Sequence, residues 1–514
     1  MNVLFANIPF VKYDSQGNIY TGPNAGSRWP WTNAGLTDYY ACFPFFMGYA
    51  VNYLIKHGVD AKFYDSVALK HWNYEVVKSH IAKLQPDILF LETSTPLFKT
   101  IKELAIWAKE SFNSRIVLIG PHIQSCAKEL INESFVDNCV VGEYEKPALE
   151  IVLKLDKAKS IYTYEHIEDI NLIRGENFLP FRPIDYLYNY WEPTMNTPRP
   201  QLQVNTSRGC PFKCTYCQWP KVMNNGQYRN RLPELVIDEI KTVISERQSF
   251  IDNIKKEMNE NKNHLLSLQG EMHHKFNSYR VQGKLMQAVH FNAEVWRIKN
   301  LLCEDNIQSI LFDDDTWNLG GKRITELCKG LKDIGLPWTM MGRIDTTSLE
   351  IYDLMVESGC AGMRFGVESF NQKLLDNTKK NLSAKKSYEN IKYLVTRFSG
   401  MEFHFTTMKN LPGETQQDWD NDLKILNELK EIGANHNNNI HWQNSDCVAF
   451  PGTELWEEMV ALGKGEELKN LDLYDGSTHN NEKLAGAVGW LGADYQPKWS
   501  KYSQMGEPTN LPNS

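Results

Sequence analysis

The stretch SRGCPFKCTYCQWP (residues 207–220) contains Cys210, Cys214 and Cys217, which are separated by three and two residues. The other seven of the ten cysteines are scattered along the chain. Thiolates are the soft ligands of iron–sulfur clusters and of zinc, and so short a loop can bring three of them to one site. Structural zinc needs four ligands, whereas a [4Fe–4S] cluster on three thiolates keeps one iron open to a small molecule. Zinc with a distant fourth ligand and three merely buried cysteines are the alternatives.

Before this stretch, apolar runs typical of strands alternate with helical patterns. The alternation predicts an α/β fold with a parallel sheet covered on both faces, in which ligands bind at the carboxyl ends of the strands. Those ends carry polar loops at residues 93–96, 119–123 and 141–145. The predicted strands are Met1–Pro9, Ala61–Tyr64, Asp87–Glu92, Arg115–Ile119 and Asn138–Val141.

After the cysteines, strands and helices alternate again and predict a full or partial (β/α) barrel. Five prolines between residues 157 and 200 predict a linker in front of it. The predicted organisation is a Rossmann-like domain at 1–156, a linker at 157–200, the barrel at 201–433 and an irregular C-terminal substrate-binding or closing region at 434–514. The predicted barrel strands are Gln201–Thr206, Ser309–Phe312, Trp338–Met341, Gly362–Val367 and Glu402–Thr407.

The segment from about residue 246 to residue 300 is polar and helical, and it is longer than a strand–helix unit requires. We predict an inserted helical hairpin. Two interpretations stay open for it: a solvated arm that packs against the rest of the chain, or a lid or docking surface for a protein substrate.

Composition excludes some classes of function. The 514 residues include 55 Lys and Arg against 63 Asp and Glu, a net charge of -8, which disfavours a nucleic-acid-binding surface. No apolar run reaches the roughly 18 residues that a membrane span needs, and the N-terminal sequence lacks the features of a signal peptide. We therefore expect a cytoplasmic protein without a membrane span or a nucleic-acid partner.

The cysteine stretch resembles the signature of the radical S-adenosylmethionine superfamily, with the aromatic Tyr216 before the third cysteine. The resemblance implies that Cys210, Cys214 and Cys217 hold a [4Fe–4S] cluster whose open iron binds S-adenosylmethionine. In that family, one electron from the cluster cleaves S-adenosylmethionine to a 5'-deoxyadenosyl radical. The electron then comes from an external donor similar to flavodoxin or ferredoxin.

Three later segments also resemble motifs of this superfamily. FDDDTWN (312–318) resembles an acidic strand-end motif, MRFGVES (363–369) the fourth-strand motif and NLPGET (410–415) a turn beside the adenine, with Asn410 where glycine is common. Their order after the cysteines extends the resemblance over most of the chain. The S-adenosylmethionine contacts that it implies are Tyr216, Asp314, Arg343, Glu368, Gly413 and Glu414.

The first domain resembles the cobalamin-binding domain of cobalamin-dependent radical enzymes. Hydroxyl and backbone groups at strand ends suit the amide side chains and nucleotide tail of a corrinoid. The Asp-x-His-x-x-Gly motif, whose histidine ligates cobalt in related proteins, is absent. The resemblance implies that cobalamin is contacted by Thr93, Ser94, Thr95, Gly120, His122, Gly142 and Glu143.

Together these resemblances predict a cobalamin-dependent radical S-adenosylmethionine methyltransferase. It would transfer a methyl group from methylcobalamin to an unactivated carbon of a peptide, a protein or a small molecule. The sequence assigns no catalytic residue. Non-methylating radical chemistry, such as ring formation or rearrangement, is the alternative enzyme, and a corrinoid or redox sensor without turnover is the alternative from another class.

Overall fold

The computed structural model describes residues 1–13, 19–22, 32–33, 42–173, 184–192, 195–258 and 261–470. Contacts divide the chain into two units. The first comprises Met1–Pro193, Thr197–Val204 and Leu235–Ile310, and the second comprises Thr194–Asn196, Asn205–Glu234 and Leu311–Ser514. The domain limits expected from the sequence stay a prediction.

Strands and helices alternate along most of the described chain. The strands are β1 (Val3–Asn7), β2 (Phe10–Tyr13), β3 (Ile19–Gly22), β4 (Thr32–Asn33), β5 (Ala61–Asp65), β6 (Ile88–Glu92), β7 (Arg115–Ile119), β8 (Asn138–Val141), β9 (Ile161–Thr163), β10 (Gln201–Val204), β11 (Ser207–Arg208), β12 (Arg229–Asn230), β13 (Ser309–Phe312), β14 (Trp338–Gly342), β15 (Cys360–Glu368), β16 (Glu402–Lys409) and β17 (Asn439–Asp446).

The helices are α1 (Phe45–Lys56), α2 (Tyr74–Leu84), α3 (Phe98–Phe112), α4 (Ile123–Leu130), α5 (Glu145–Lys154), α6 (Gln218–Val222), α7 (Pro233–Met258), α8 (Lys262–Val281), α9 (Leu285–Leu302), α10 (Gly321–Ile334), α11 (Leu349–Glu357), α12 (Gln372–Asn377), α13 (Ala384–Arg397), α14 (Gln416–Asn435), α15 (Glu454–Met459) and α16 (Gly465–Leu468). A short 3-10 helix at Ile184–Asn189 lies beside α9.

The first unit contains a parallel sheet in the order β5–β1–β6–β7–β8–β9. Its strands are short and almost wholly apolar, as expected when helices cover both faces. Because side chains alternate across a strand, Leu4, Leu89 and Leu118 share one face and pack with apolar residues of α2, α3 and α4. The carboxyl ends of all these strands lie at one edge, which brings the polar loops together. The predicted α/β fold with a parallel sheet is confirmed.

The second unit contains four neighbouring strands of the second sheet, β14, β15, β16 and β17, in chain order and all parallel. The apolar residues Phe365, Phe405 and Trp442 occupy one face of these strands, where their rings lie 4.7 to 6.1 Å apart. Strand β17 falls in the region that the sequence predicts to be irregular. Its sequence NIHWQNSD is polar and only partly buried, so it lacks the hydrophobic alternation that indicates a strand.

The polar segment before β13 forms three helices, whereas a strand–helix unit needs only one. Helix α7 is 26 residues long, and α8 and α9 follow as an antiparallel hairpin. The hairpin packs within the first unit: the side chain of Asn300 on α9 donates to Asn189 Oδ1 at 2.8 Å. None of the described helices combines the length and the apolar character that crossing a membrane requires.

Candidate functional site

The cysteine loop joins β11 to α6 at the start of the second unit. A Cβ at Gly209 would lie 1.8 Å from the carbonyl oxygen of Gln227, so only glycine allows the chain to enter the loop along this path. The loop is then held by backbone hydrogen bonds from Thr215 N to Thr378 O (2.9 Å) and from Leu455 N to Thr215 O (3.0 Å). These two hydrogen bonds hold the loop between the segments of Thr378 and Leu455, so the position of the thiols does not depend on a ligand.

The three thiols lie near one another and are partly buried. Burial raises the pKa of Cys210 and of Cys217, and the neighbouring thiols together with Asp315 raise both further. Cys210 Sγ is also 3.4 Å from Thr316 Oγ1. Yet the described residues include no group of three His, Cys, Asp or Glu side chains that could hold a single metal ion. The thiols are close enough to raise one another's pKa.

Asp314 holds the segment that precedes the loop. It is fully buried, and its carboxylate accepts hydrogen bonds from Thr206 N (3.0 Å), Thr206 Oγ1 (2.9 Å) and Ser207 Oγ (2.5 Å). Arg323 also donates to Thr206 Oγ1. These bonds hold the segment that leads into the cysteine loop, and the contact to S-adenosylmethionine that the resemblance implies for Asp314 stays a prediction.

Glu368 lies at the carboxyl end of β15 and forms a buried ion pair that the sequence analysis missed. Its Oε1 is 2.7 Å from Lys380 Nζ, and the two side chains are 9% and 8% exposed. Burial acts to lower the pKa of Lys380, but the negative charges of Glu368 and Cys214 outweigh it and raise the pKa above its usual value. The positive charge of Lys380 acts to lower the pKa of Cys217, but burial and the neighbouring negative charges outweigh it.

The backbone around Glu368 is shaped to aim its carboxylate. Glu368 has a φ of 66°, a left-handed conformation that costs a residue with a side chain about 1 to 3 kcal/mol and that clusters at functional sites. A Cβ at Gly366 would lie 2.7 Å from Glu368 Oε1 and 3.0 Å from Lys380 Nζ. The absence of a side chain at Gly366 therefore makes the room that the ion pair occupies.

Arg343 links three parts of the site. Its guanidinium pairs with Asp345 at 3.1 Å, donates to the carbonyl oxygens of Lys380 (2.9 Å) and Asn381 (3.0 Å), and lies 3.7 Å from the ring centre of Phe212 in the cysteine loop. These bonds hold Arg343 in place, and the contact to S-adenosylmethionine that the resemblance implies for it stays a prediction. Arg343 fixes the backbone of Lys380 against the cysteine loop.

The turn at residues 410–414 is held by hydrogen bonds between its own residues. Glu414 Oε2 accepts hydrogen bonds from the backbone of Asn410 and of Leu411, and Asn410 has a φ of 60°. Asparagine tolerates this left-handed conformation better than most residues, which explains how it replaces the usual glycine. Burial raises the pKa of Glu414 to about 8. Gly413 lies within this buried turn.

Tyr216 is partly buried and packs against a small apolar cluster that contains Leu374, Leu411 and Cys447. Its hydroxyl oxygen has no hydrogen-bond partner within the described residues. A buried hydroxyl without a partner costs free energy, so a bound polar group beside Tyr216 would be favoured. The structure thus brings Tyr216, Arg343 and Glu368 to the surroundings of the cysteine loop.

In the first unit, the loops after β6 and β7 are tied together. Thr93 N donates to Ile119 O (2.8 Å), and His122 N donates to Thr93 O (3.1 Å). His122 is 4% exposed, its Nδ1 is 3.1 Å from Thr95 Oγ1, and burial lowers its pKa to about 4. The imidazole is therefore neutral and already committed to Thr95.

The loop after β8 continues the same edge. Glu143 is buried, and its Oε2 lies 3.8 Å from His166 Nδ1. Gly142 has a φ of 100°, and Ser94 is partly exposed in the loop after β6. The structure thus places the residues expected to contact cobalamin at the carboxyl ends of three neighbouring strands.

Glu92, at the end of β6, is a buried carboxyl group that the sequence analysis did not single out. Tyr144 Oη donates to its Oε1 at 2.7 Å, and burial raises its pKa from 4.5 to about 8. Glu92 therefore carries a proton at neutral pH in the folded chain.

We expect this proton to make the stability of the first unit pH-dependent. Between pH 4.5 and about 8 the unfolded chain ionises Glu92 while the folded chain keeps it protonated, so the free energy of unfolding falls as pH rises. In the Glu92→Gln variant this contribution is absent. Urea unfolding at pH 5, 6.5 and 8 should show a shallower decline for the variant, and parallel curves would contradict the prediction.

No model of a protein family matches the chain. Its fold is similar to the folds of solved cobalamin-dependent radical S-adenosylmethionine enzymes, as the resemblance in the sequence predicts. OxsB, a cobalamin-dependent S-adenosylmethionine radical enzyme solved with aqua-cobalamin and S-adenosylmethionine, is similar over 95% of this chain and 66% of OxsB, with a TM-score of 0.58 and 13% identity. The radical S-adenosylmethionine methyltransferase TsrM of Kitasatospora setae, solved with cobalamin and a [4Fe–4S] cluster, is similar over 90% of this chain and 75% of TsrM, with a TM-score of 0.57 and 12% identity.

Sequence comparison finds a methyltransferase among the relatives. An uncharacterised methyltransferase of Pyrococcus horikoshii is 22% identical to the chain over 423 residues, which are 79% of this chain and 76% of the relative.

Proposed function

We propose that the chain is a cobalamin-dependent radical S-adenosylmethionine methyltransferase that transfers a methyl group to a carbon atom of its substrate. The observation that carries the proposal is the cysteine loop, which the fold holds close to the buried Glu368–Lys380 pair. The similarity to enzymes that transfer methyl groups supports the reaction class.

Cys210, Cys214 and Cys217 would hold the [4Fe–4S] cluster. In such a cluster each thiolate binds a different iron, so the sulfur atoms must be near one another without converging on one point. The three thiols come from one short loop and lie close enough to raise one another's pKa, which supports this arrangement. The [4Fe–4S] ligands would be these three residues, and the fourth iron would be open.

The amino-acid part of S-adenosylmethionine carries one ammonium and one carboxylate group. Glu368 and Lys380 offer the opposite charges side by side, in a place where Gly366 leaves room. Both charges are buried. If Glu368 binds the ammonium group and Lys380 binds the carboxylate group of the ligand, each buried charge keeps a partner of opposite sign. Arg343 would position Lys380, and Asp314 would position the cysteine loop. Tyr216 and the turn of Gly413 and Glu414 would line the remainder of the site.

The loops after β6, β7 and β8 would hold cobalamin. Their hydroxyl and backbone groups can hydrogen-bond to the amide side chains of a corrinoid, and binding at the carboxyl ends of parallel strands is the rule for such sheets. His122 is committed to Thr95, so it would contact the cofactor from a fixed position and would not serve as the cobalt ligand. The other proposed contacts are Thr93, Ser94, Gly120, Gly142 and Glu143.

When bound, the cluster and S-adenosylmethionine supply a hydrogen-abstracting radical and cobalamin supplies the methyl group. The role of the protein is to bind and orient the cofactors and the substrate and to exclude water. Glu368 and Lys380 are buried and the thiols are partly buried, which provides a water-poor site. The substrate would be a peptide, a protein or a small molecule, and the electron would come from a flavodoxin-like or ferredoxin-like donor in the cytoplasm.

The cofactor content of the full chain, purified without oxygen from cells supplied with cobalamin, tests the proposal. We expect about one corrinoid and about four irons per chain, as one cluster and one cobalamin require. Ser94→Trp places an indole in the partly exposed loop after β6 and should remove the corrinoid but keep the iron. Ser79→Trp, on the exposed side of α2, is the matched control and should keep both.

The other outcomes separate the alternatives. Iron without corrinoid in the unmodified chain would overturn methyl transfer from cobalamin and favour non-methylating radical chemistry. Corrinoid without iron would favour a sensor. With a substrate in hand, S-adenosylhomocysteine together with 5'-deoxyadenosine would indicate methylation, whereas 5'-deoxyadenosine alone would contradict it.

A further inference from the structure

A cavity of about 340 Å³ lies within the first unit, where the hairpin of α8 and α9 meets the loop that follows β5. Its volume is at the lower end of the range of small-molecule sites, about 300 to 1,000 Å³. The loop contributes residues 70–73, α8 contributes Tyr279, and α9 contributes His290 and Phe291. The cavity is separate in the chain from the loops proposed for cobalamin, which follow β6, β7 and β8.

The walls of the cavity are aromatic. Tyr279 and Phe291 stack with their ring centres 5.4 Å apart and an angle of 13° between the planes, and the buried Trp72 belongs to the same lining. Flat, rigid surfaces of this kind stabilise a planar ring by dispersion at little cost in side-chain entropy. The lining therefore favours an aromatic ligand over an aliphatic one.

The charge around the cavity is positive. Lys70 lines it, and the ammonium groups of Lys284 and Lys275 lie 5.6 and 5.5 Å from the ring centres of Tyr279 and Phe291. Among the described lining residues there is no carboxylate. Burial, with a smaller contribution from the basic neighbours His80, His290 and Lys83, lowers the pKa of His71 to about 4, so this imidazole is neutral and the positive charge comes from the lysines. An anion in the cavity would find complementary charge.

The loop is held in place by its own contacts. Lys70 has a φ of 59°, and its ammonium lies 3.5 Å from the ring centre of Trp296 on α9. His71 Nδ1 is 2.8 Å from Tyr64 Oη, and Asn73 caps α2 by accepting a hydrogen bond from Glu75 N. A left-handed conformation at a lysine persists only where the surrounding contacts enforce it. The loop that lines the cavity is therefore held in one conformation.

We propose that this cavity binds a small planar aromatic anion, such as an aromatic carboxylate or sulfonate, and that the inserted hairpin serves to complete the site. The aromatic walls select the ring and the basic groups select the charge. This ligand site is additional to the cofactor sites and does not depend on the proposed reaction.

The test uses the full chain and two fluorescent probes with the same rings. 1-Anilinonaphthalene-8-sulfonate carries the anion, and N-phenyl-1-naphthylamine lacks it. We expect saturable binding of the sulfonate and at least about tenfold weaker binding of the neutral probe. His290→Glu should weaken sulfonate binding by about tenfold, because it places a negative charge at the lining. His274→Glu, an exposed histidine of the same hairpin outside the lining, should change it less than about twofold.

Hydrogen exchange locates the bound probe. Protection confined to residues 70–76 and 279–293 on addition of the sulfonate supports the proposal. Protection elsewhere, an equal effect of the two histidine substitutions, or equal affinity for the two probes would overturn it. Each of these readouts is independent of iron and corrinoid content, so failure here is distinguishable from failure of the proposed methyltransferase activity.

Discussion

Replacing Cys214 by alanine is expected to reduce the cleavage of S-adenosylmethionine by at least about a thousandfold, to the background without enzyme. Two thiolates remain in the variant, too few to hold three irons of the cluster. The loop itself should stay in place, because the hydrogen bonds of Thr215 to Thr378 and Leu455 fix its path without the cysteine side chains. Production of 5'-deoxyadenosine under reducing conditions measures the loss.

Cys303→Ala is the matched control. Cys303 is also a partly buried free cysteine, but it follows α9 in the first unit and is not among the cluster ligands. Its loss should leave iron content and cleavage unchanged. If Cys214→Ala retained four irons and turnover, the assignment of the cluster to this loop would be wrong.

The second large effect concerns the buried ion pair. Lys380→Met should lower the free energy of unfolding by about 3 to 5 kcal/mol, because it leaves the Glu368 carboxylate buried without its partner. Glu368→Gln should lower it by a comparable amount. The double variant Glu368→Gln/Lys380→Met should recover most of the stability, since no uncompensated charge remains. Denaturant unfolding measures this series.

Binding of S-adenosylmethionine separates a structural role from a functional one. If the pair serves the ligand, all three variants should bind it at least about tenfold more weakly, including the double variant that has regained its stability. A stable double variant that binds like the unmodified chain would show that the pair is structural only. Lys385→Met, which breaks an exposed pair with Glu389 at 3.9 Å, is the control and should change little in either measurement.

The sequence predicts best what local pattern determines. Strands such as Arg115–Ile119, Asn138–Val141 and Ser309–Phe312 are continuous apolar runs between turn signals, and the structure has them at the expected residues. The cysteine spacing is likewise local. Strand β17 was missed because its residues are polar, so only its pairing with β16 defines it.

The candidate site is less accessible from the sequence because its contacts are long-range. Lys380 follows Glu368 by twelve residues, beyond helix α12, and nothing in its neighbourhood distinguishes it from other lysines. Asp314 stands in an acidic motif, but its bonds to Thr206 and Ser207 join residues more than 100 positions apart. Such a pairing depends on how the strands pack, which periodicity does not encode.

The discontinuous first unit bears on how the protein folds as it is synthesised. Domains usually fold as units while the ribosome adds about 5 to 20 residues each second. The first unit is assembled from Met1–Pro193, Thr197–Val204 and Leu235–Ile310, so its last helices emerge only after the cysteine loop has already left the exit tunnel. The nascent chain must carry that loop, with its three reduced thiols, before the first unit is complete. We therefore expect the cluster to be assembled only after these segments have been synthesised. Factors that shield the thiols during translation should then raise the yield of active protein.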